Sequence, residues 1–287
     1  MGQDKKQLEQ LLQYIEHLYK NPGNKEFAAG IQAIVLRDNL NASSADYRIS
    51  EIYEYCIHNV LRFQAESFYL NFPLEQIREE LIEDYIKMER AHRDNNIDDF
   101  GIRLYRQIEN IVHTLSRDDT LDNVVLRMMN LPYLVLDSDN PQVHDRKLLN
   151  KNNEPIKTIG NFVLLNTKTI SNEDRTKKKL CEQYAVDMCR LIIYFVCYKG
   201  MMQSNMFAEW REQTNLFSDI YSVRNRVHAG GDCSEYDKRR YEHIKANATQ
   251  MYIRMLTFLI FLVEGVKAGY PLSQELVEFA EKQEVSI

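Results

Sequence analysis

The sequence predicts an all-α protein: a multi-helix bundle with one small β-hairpin inserted near residues 133–166. Three observations carry that expectation. Apolar residues recur at spacings of three and four along most of the chain, which gives each helix one stripe to bury. Glycine and proline are scarce, 10 and 6 in 287 residues, and no proline lies between Pro155 and Pro271, so long helices are permitted there. Apolar residues at 44% and charged residues at 27% are ordinary globular usage, enough for a core at this length without covalent staples.

Taken in order, Leu8, Leu11, Leu12, Ile15 and Leu18 set a first helix, stopped by Asn21-Pro22-Gly23. A short helix over about 25–36 follows, then the polar Asn41-Ala42-Ser43-Ser44. Ile49, Ile52, Tyr53, Cys56, Ile57, Val60 and Leu61 form a wide apolar stripe running toward Phe68, and Phe72-Pro73 breaks it. The charged run 74–92 is amphipathic, with Ile77, Leu81, Tyr85 and Met88 on its apolar face. After a polar connector at 95–99, Ile102, Tyr105, Ile108, Ile111, Val112 and Leu115 mark another helix, and 121–129 a short one. The character then changes. Tyr133-Leu134-Val135-Leu136 and Asn161-Phe162-Val163-Leu164-Leu165 look like two strands separated by Asp, Asn, Pro and Lys. Helices resume over 176–202, 205–228, 235–267 and 273–282. The expected organisation is an N-terminal helical region, 1–95, and a helical bundle, 96–287, that carries the insertion at 132–172.

Composition narrows the function classes. A net charge of -6 and a pI near 5.7 supply no global positive field, so any RNA contact must come from a local basic patch. Cys56, Cys181, Cys189, Cys197 and Cys233 form no CxxC pair and no zinc spacing; reduced thiols in a cytoplasmic protein are expected, with Cys181, Cys189 and Cys197 in the core of one helix. The N-terminus lacks a signal-peptide core, and the most apolar run, 255–263, is half of what a bilayer requires, so no membrane association is expected. Phosphate-binding glycine loops, HExxH and GxSxG are absent, and no cofactor is expected.

The most informative string is Tyr221-Ser222-Val223-Arg224-Asn225-Arg226-Val227-His228-Ala229-Gly230-Gly231. Arg224 and His228, four apart, share one helix face, and Gly230-Gly231 supplies the stop. Cleavage of RNA by its own 2′-hydroxyl needs proton transfer and stabilisation of a phosphorane; an imidazole performs the first and a guanidinium the second, without a metal. This string resembles the signature of the HEPN superfamily, an Arg, a polar residue and then a His, usually with four to six residues between Arg and His; here three intervene. The resemblance implies a small α-helical domain, often dimeric, in which the motifs of two protomers meet in one metal-independent ribonuclease site, as in toxins, abortive-infection proteins and CRISPR effectors. It implies Arg224, Asn225 and His228 as the active residues, RNA as substrate and a homodimer as the acting form. A non-catalytic bundle that binds RNA or a regulatory protein partner is the alternative.

Three other features compete. Arg106 and His113, seven apart, also share a face, although Glu109 offers Arg106 a local partner. His144, with Gly160-Asn161 and Asn172 further on, loosely resembles metal-dependent HNH-like nucleases; Asp137, Asp139 and Asp145 lie nearby, as an Asp-rich turn or a cation site. Basic residues gather at Lys168, Arg175, Lys177, Lys178 and Lys179, and again at Arg211, Arg224, Arg226, Lys238, Arg239 and Arg240.

Overall fold

A computed structural model describes residues 10, 13–14, 43–131, 158–164, 178–200, 207–229 and 234–283. Among these residues the regular elements are all helical, so the all-α expectation holds. The chain divides at Phe68/Tyr69 into two compact units.

The described part of the first unit is α1 (Ser43–Phe68). Among its described side chains Cys56, Leu61 and Ala65 are the most buried, while Tyr53 and Phe63 point to solvent. An Arg62–Glu66 ion pair at 3.0 Å lies along its exposed side.

In the second unit a 3-10 turn (Glu75–Ile77) precedes α2 (Arg78–Arg93), so the helix expected from residue 74 starts a turn late. Pro73 and the left-handed Asn71 shape that entry. Asn95, also left-handed, ends α2, and Asn96 caps α3 (Ile97–Leu115), its side chain accepting from Asp99 N at 3.2 Å. Helices α2 and α3, on either side of residue 95, pack along one another inside this unit. Asp118 caps α4 (Asp119–Met128) by accepting from Leu121 N at 2.7 Å.

Of the run 161–165, expected as a strand, the described residues 161–164 are not one: Ile159–Val163 form a short helix, α5. Ile159, Val163 and Leu164 are buried at helical spacing. The first amides of α5 donate to the end of α4, Ile159 N to Leu131 O at 3.0 Å and Gly160 N to Met129 O at 2.8 Å. Four apolar residues in a row have no period of their own, and these carbonyls decide it. The other expected strand, 133–136, lies outside the described residues.

The single helix expected over 176–202 is broken. A 3-10 turn (Leu180–Glu182) and extended Gln183 lead into α6 (Ala185–Ile192), which widens into a π turn (Ile193–Cys197) and ends at left-handed Lys199 and Gly200. Cys181 is therefore exposed, not in the core, whereas Cys189 is buried. Helix α7 (Phe207–Ala229) follows, then α8 (Glu235–Ala246), capped by Ser234, and α9 (Ala248–Gly269). One helix over 235–267 was expected; it breaks at Asn247, whose side-chain amide donates to His243 O at 2.9 Å and whose φ of −119° leaves the helical region. Ser273 caps α10 (Gln274–Glu281), which packs on α4.

Helix α3 is the hub: α2, α6, α7 and α9 all pack on it, and Phe100, Leu104, Ile108, Ile111 and Leu115 are buried among them. Two glycine contacts set how closely the bundle closes. A Cβ on Gly101 would stand 2.6 Å from Val223 Cγ1, and one on Gly269 would stand 2.0 Å from Val196 O in the π turn. Among the described residues no helix is long and apolar enough to cross a membrane.

Candidate active site

Helix α7 buries Trp210, Leu216, Phe217, Ile220 and Val223. Gly101 lets α3 approach at Val223, and further along α3 the partner is Phe217, so the two helices run antiparallel. That register brings Tyr105 of α3 against Phe217 and Tyr221, with ring centres 6.5 and 5.9 Å away. Arg224, one turn beyond Tyr221, then lies with its guanidinium carbon 5.6 Å from the centre of the Tyr105 ring. Its Nη1 donates to Asn225 Oδ1 at 3.3 Å. Among the described residues no carboxylate lies within ion-pair distance of Arg224.

The Tyr105 hydroxyl donates to Glu109 Oε1 at 3.2 Å. Burial, and then Glu109, push this phenol far above its ordinary range, against a smaller opposing effect of Arg224, so it stays protonated at any ordinary pH. Tyr105, Glu109 and His113, spaced four apart, line one side of a small notch, with room for about one water, whose other walls are Ile108, Val112, Ala185, Met188 and Phe217. His228 is exposed in the last turn of α7, a helical turn beyond Arg224.

Of the residues singled out in the sequence, Arg224 and Asn225 touch, and His228 shares their face at the helix end. Arg226 does not belong with them: it leans over Tyr241 of α8, 5.9 Å from the ring centre. Arg106 and His113 lie on one stripe of α3, yet the Arg106 side chain reaches back toward α2, where its Nε is 3.4 Å from Asp84 Oδ2. Glu109, the local partner considered for Arg106, instead accepts from Tyr105. Because α3 and α7 are antiparallel, His113 and His228 lie toward opposite ends of the pair, roughly 25 Å apart along the axes at about 1.5 Å per residue. The two Arg–His pairs do not merge within one chain.

Much of the α8 basic cluster is occupied: Lys238 pairs with Glu235 at 2.8 Å, and Arg240 binds Asp219 and Tyr236. His144, Asp137, Asp139 and Asp145 lie outside the described residues, as do Lys168, Arg175 and Lys177. Among the described residues no cluster of three His, Cys, Asp or Glu could hold a metal ion. Tyr105 is the neighbour that sequence reasoning missed. Its spacing to Glu109 and His113 was visible, but its pairing with Arg224 depends on how α3 crosses α7.

No protein-family model matches this chain, and neither a curated protein nor a solved structure matches it.

Proposed function

We propose that the protein is a metal-independent endoribonuclease of HEPN type, acting in the cytoplasm as a homodimer in antiviral defence or as a toxin. One observation carries the reading. Arg224 is held by an aromatic face and an amide oxygen, not by a carboxylate among the described residues, so its charge is available to an anion, one helical turn along α7 from the exposed His228.

In the proposed reaction the 2′-hydroxyl of RNA attacks the adjacent phosphorus and the bond to the 5′-oxygen breaks. A 2′,3′-cyclic phosphate and a 5′-hydroxyl result. His228 takes up the 2′ proton, Arg224 balances the negative charge gathering on the phosphorane oxygens, and Asn225 orients the guanidinium through Oδ1. The proton that the leaving oxygen requires comes from solvent or from the second protomer's copy of the motif.

The test is incubation of purified protein with labelled RNA in EDTA. Cleavage that disappears in both Arg224→Ala and His228→Ala is expected; cleavage that survives either change rejects the assignment. RNA binding without cleavage would instead make the chain a non-catalytic RNA-binding subunit.

A further inference from the structure

We propose that Tyr105 is the positioning residue for Arg224; this rests on the ribonuclease reading and extends its site to α3. The Tyr105 ring is 4% exposed and is flanked by Phe217 and Tyr221, so it offers Arg224 a rigid face 5.6 Å from the guanidinium carbon. A ring face attracts a cation through its quadrupole and leaves the guanidinium N–H groups unengaged. A carboxylate in the same place would hold Arg224 more strongly, but it would occupy the N–H edge that a phosphate uses and cancel the charge.

Glu109 adds to the effect. A phenol donating to a carboxylate is polarised toward phenolate, which makes its ring face more negative and a better seat for a cation. The chain of contacts runs Glu109, Tyr105, Arg224, from one helix to the next. Tyr105 acts through Arg224 alone and exchanges no proton with substrate.

Three variants test this: Tyr105→Phe keeps the ring and loses the link to Glu109, Tyr105→Leu removes the ring, and Glu109→Gln weakens the polarisation. Tyr105→Leu is expected to lower kcat at least about tenfold with KM within about twofold, since misplacing an oriented group costs up to about a hundredfold. Tyr105→Phe should restore kcat to within about threefold of wild type. A readout independent of turnover is the NMR signal of the Arg224 Nε–H group, assigned by its loss in Arg224→Lys. It should move in Tyr105→Leu, where the ring current is gone, and stay in Tyr105→Phe.

Wild-type kcat in Tyr105→Leu, or an unmoved Arg224 signal in it, overturns the proposal. Should the wild type cleave no RNA, the ribonuclease reading alone falls, and the Arg224 signal still decides whether Tyr105 holds the guanidinium. Glu109→Gln, like Tyr105→Phe, should stay within about threefold of wild type. Where Tyr105→Leu does not fold, Tyr105→Met, which also removes the ring but fills more of its space, decides: wild-type kcat or an unmoved Arg224 signal in it overturns the proposal.

Discussion

Gly101→Ala probes the α3–α7 contact on which the placement of Arg224 depends. The added methyl would sit 2.6 Å from Val223 Cγ1 and 3.1 Å from Val223 Cβ, inside the carbon–carbon contact distance of about 3.5 Å. Val223 cannot step aside. It is fully buried and β-branched, so in a helix it has essentially one side-chain conformation. Two terms oppose each other: replacing a mid-helix glycine by alanine gains about 1 kcal/mol, while overpacking a filled core costs about 1–3 kcal/mol. With a stiff neighbour the cost falls at the upper end, so a net loss of about 2 kcal/mol is expected. In a Val223→Ala background both γ-methyls are gone and only the Cβ at 3.1 Å remains, so the same substitution should be about neutral, within roughly 0.5 kcal/mol. The coupling between the two sites is therefore about 2 kcal/mol. Urea unfolding followed by Trp210, the one tryptophan and a buried residue of α7, measures it in the relevant unit. An equal effect of Gly101→Ala in both backgrounds would refute the contact, and with it the register that sets Arg224 over Tyr105.

Two further outcomes follow from buried titratable groups. Asp84 is 2% exposed, and burial raises its pKa despite the opposing charges of Arg106 and Arg103. The native state thus holds this proton more tightly than the unfolded chain does, and its contribution to stability is lost as pH rises from about 3.9, the ordinary Asp value, through the raised one. Asp84→Asn should flatten the urea midpoint across that window without loss at pH 7, because the two arginines, 33% and 51% exposed, can turn to water; a steeper profile, or marked loss at neutrality, would contradict this. Among the described thiols, exposed Cys181 should react first with a disulfide reagent. Cys56, pushed by burial to about 11, and buried Cys189 should wait for unfolding, and Cys181→Ser should remove one fast-reacting thiol.

Helix starts were legible at Ser234 and Ser273, each of which caps its own turn, because that interaction is local; Asn96 and Asp118 cap in the same way, yet α3 begins inside the expected connector 95–99 and α4 two residues before the expected 121. Interruptions settled by neighbours were not. The π turn ending α6 lies against Gly265 and Gly269 of α9, and α5 is helical because α4 ends beside it. Asn247 did carry a local signal, a short polar side chain able to return to its own helix, and the apolar periodicity on both sides of it hid the break. In the candidate site the shared face of Arg224 and His228 was readable from their spacing, whereas the seat of Arg224 was not. Tyr105 precedes it by more than a hundred positions and meets it only through the α3–α7 crossing.

Holding an arginine by an aromatic surface has a consequence for how ligands arrive. An arginine locked to a carboxylate must give up that partner before it can receive a phosphate, so each arrival begins with an uphill exchange. At Arg224 no such exchange is required of any described carboxylate, and an incoming phosphate can dock while the tyrosine stays where it is. Capture at this position should therefore be fast, and strongly weakened by added salt.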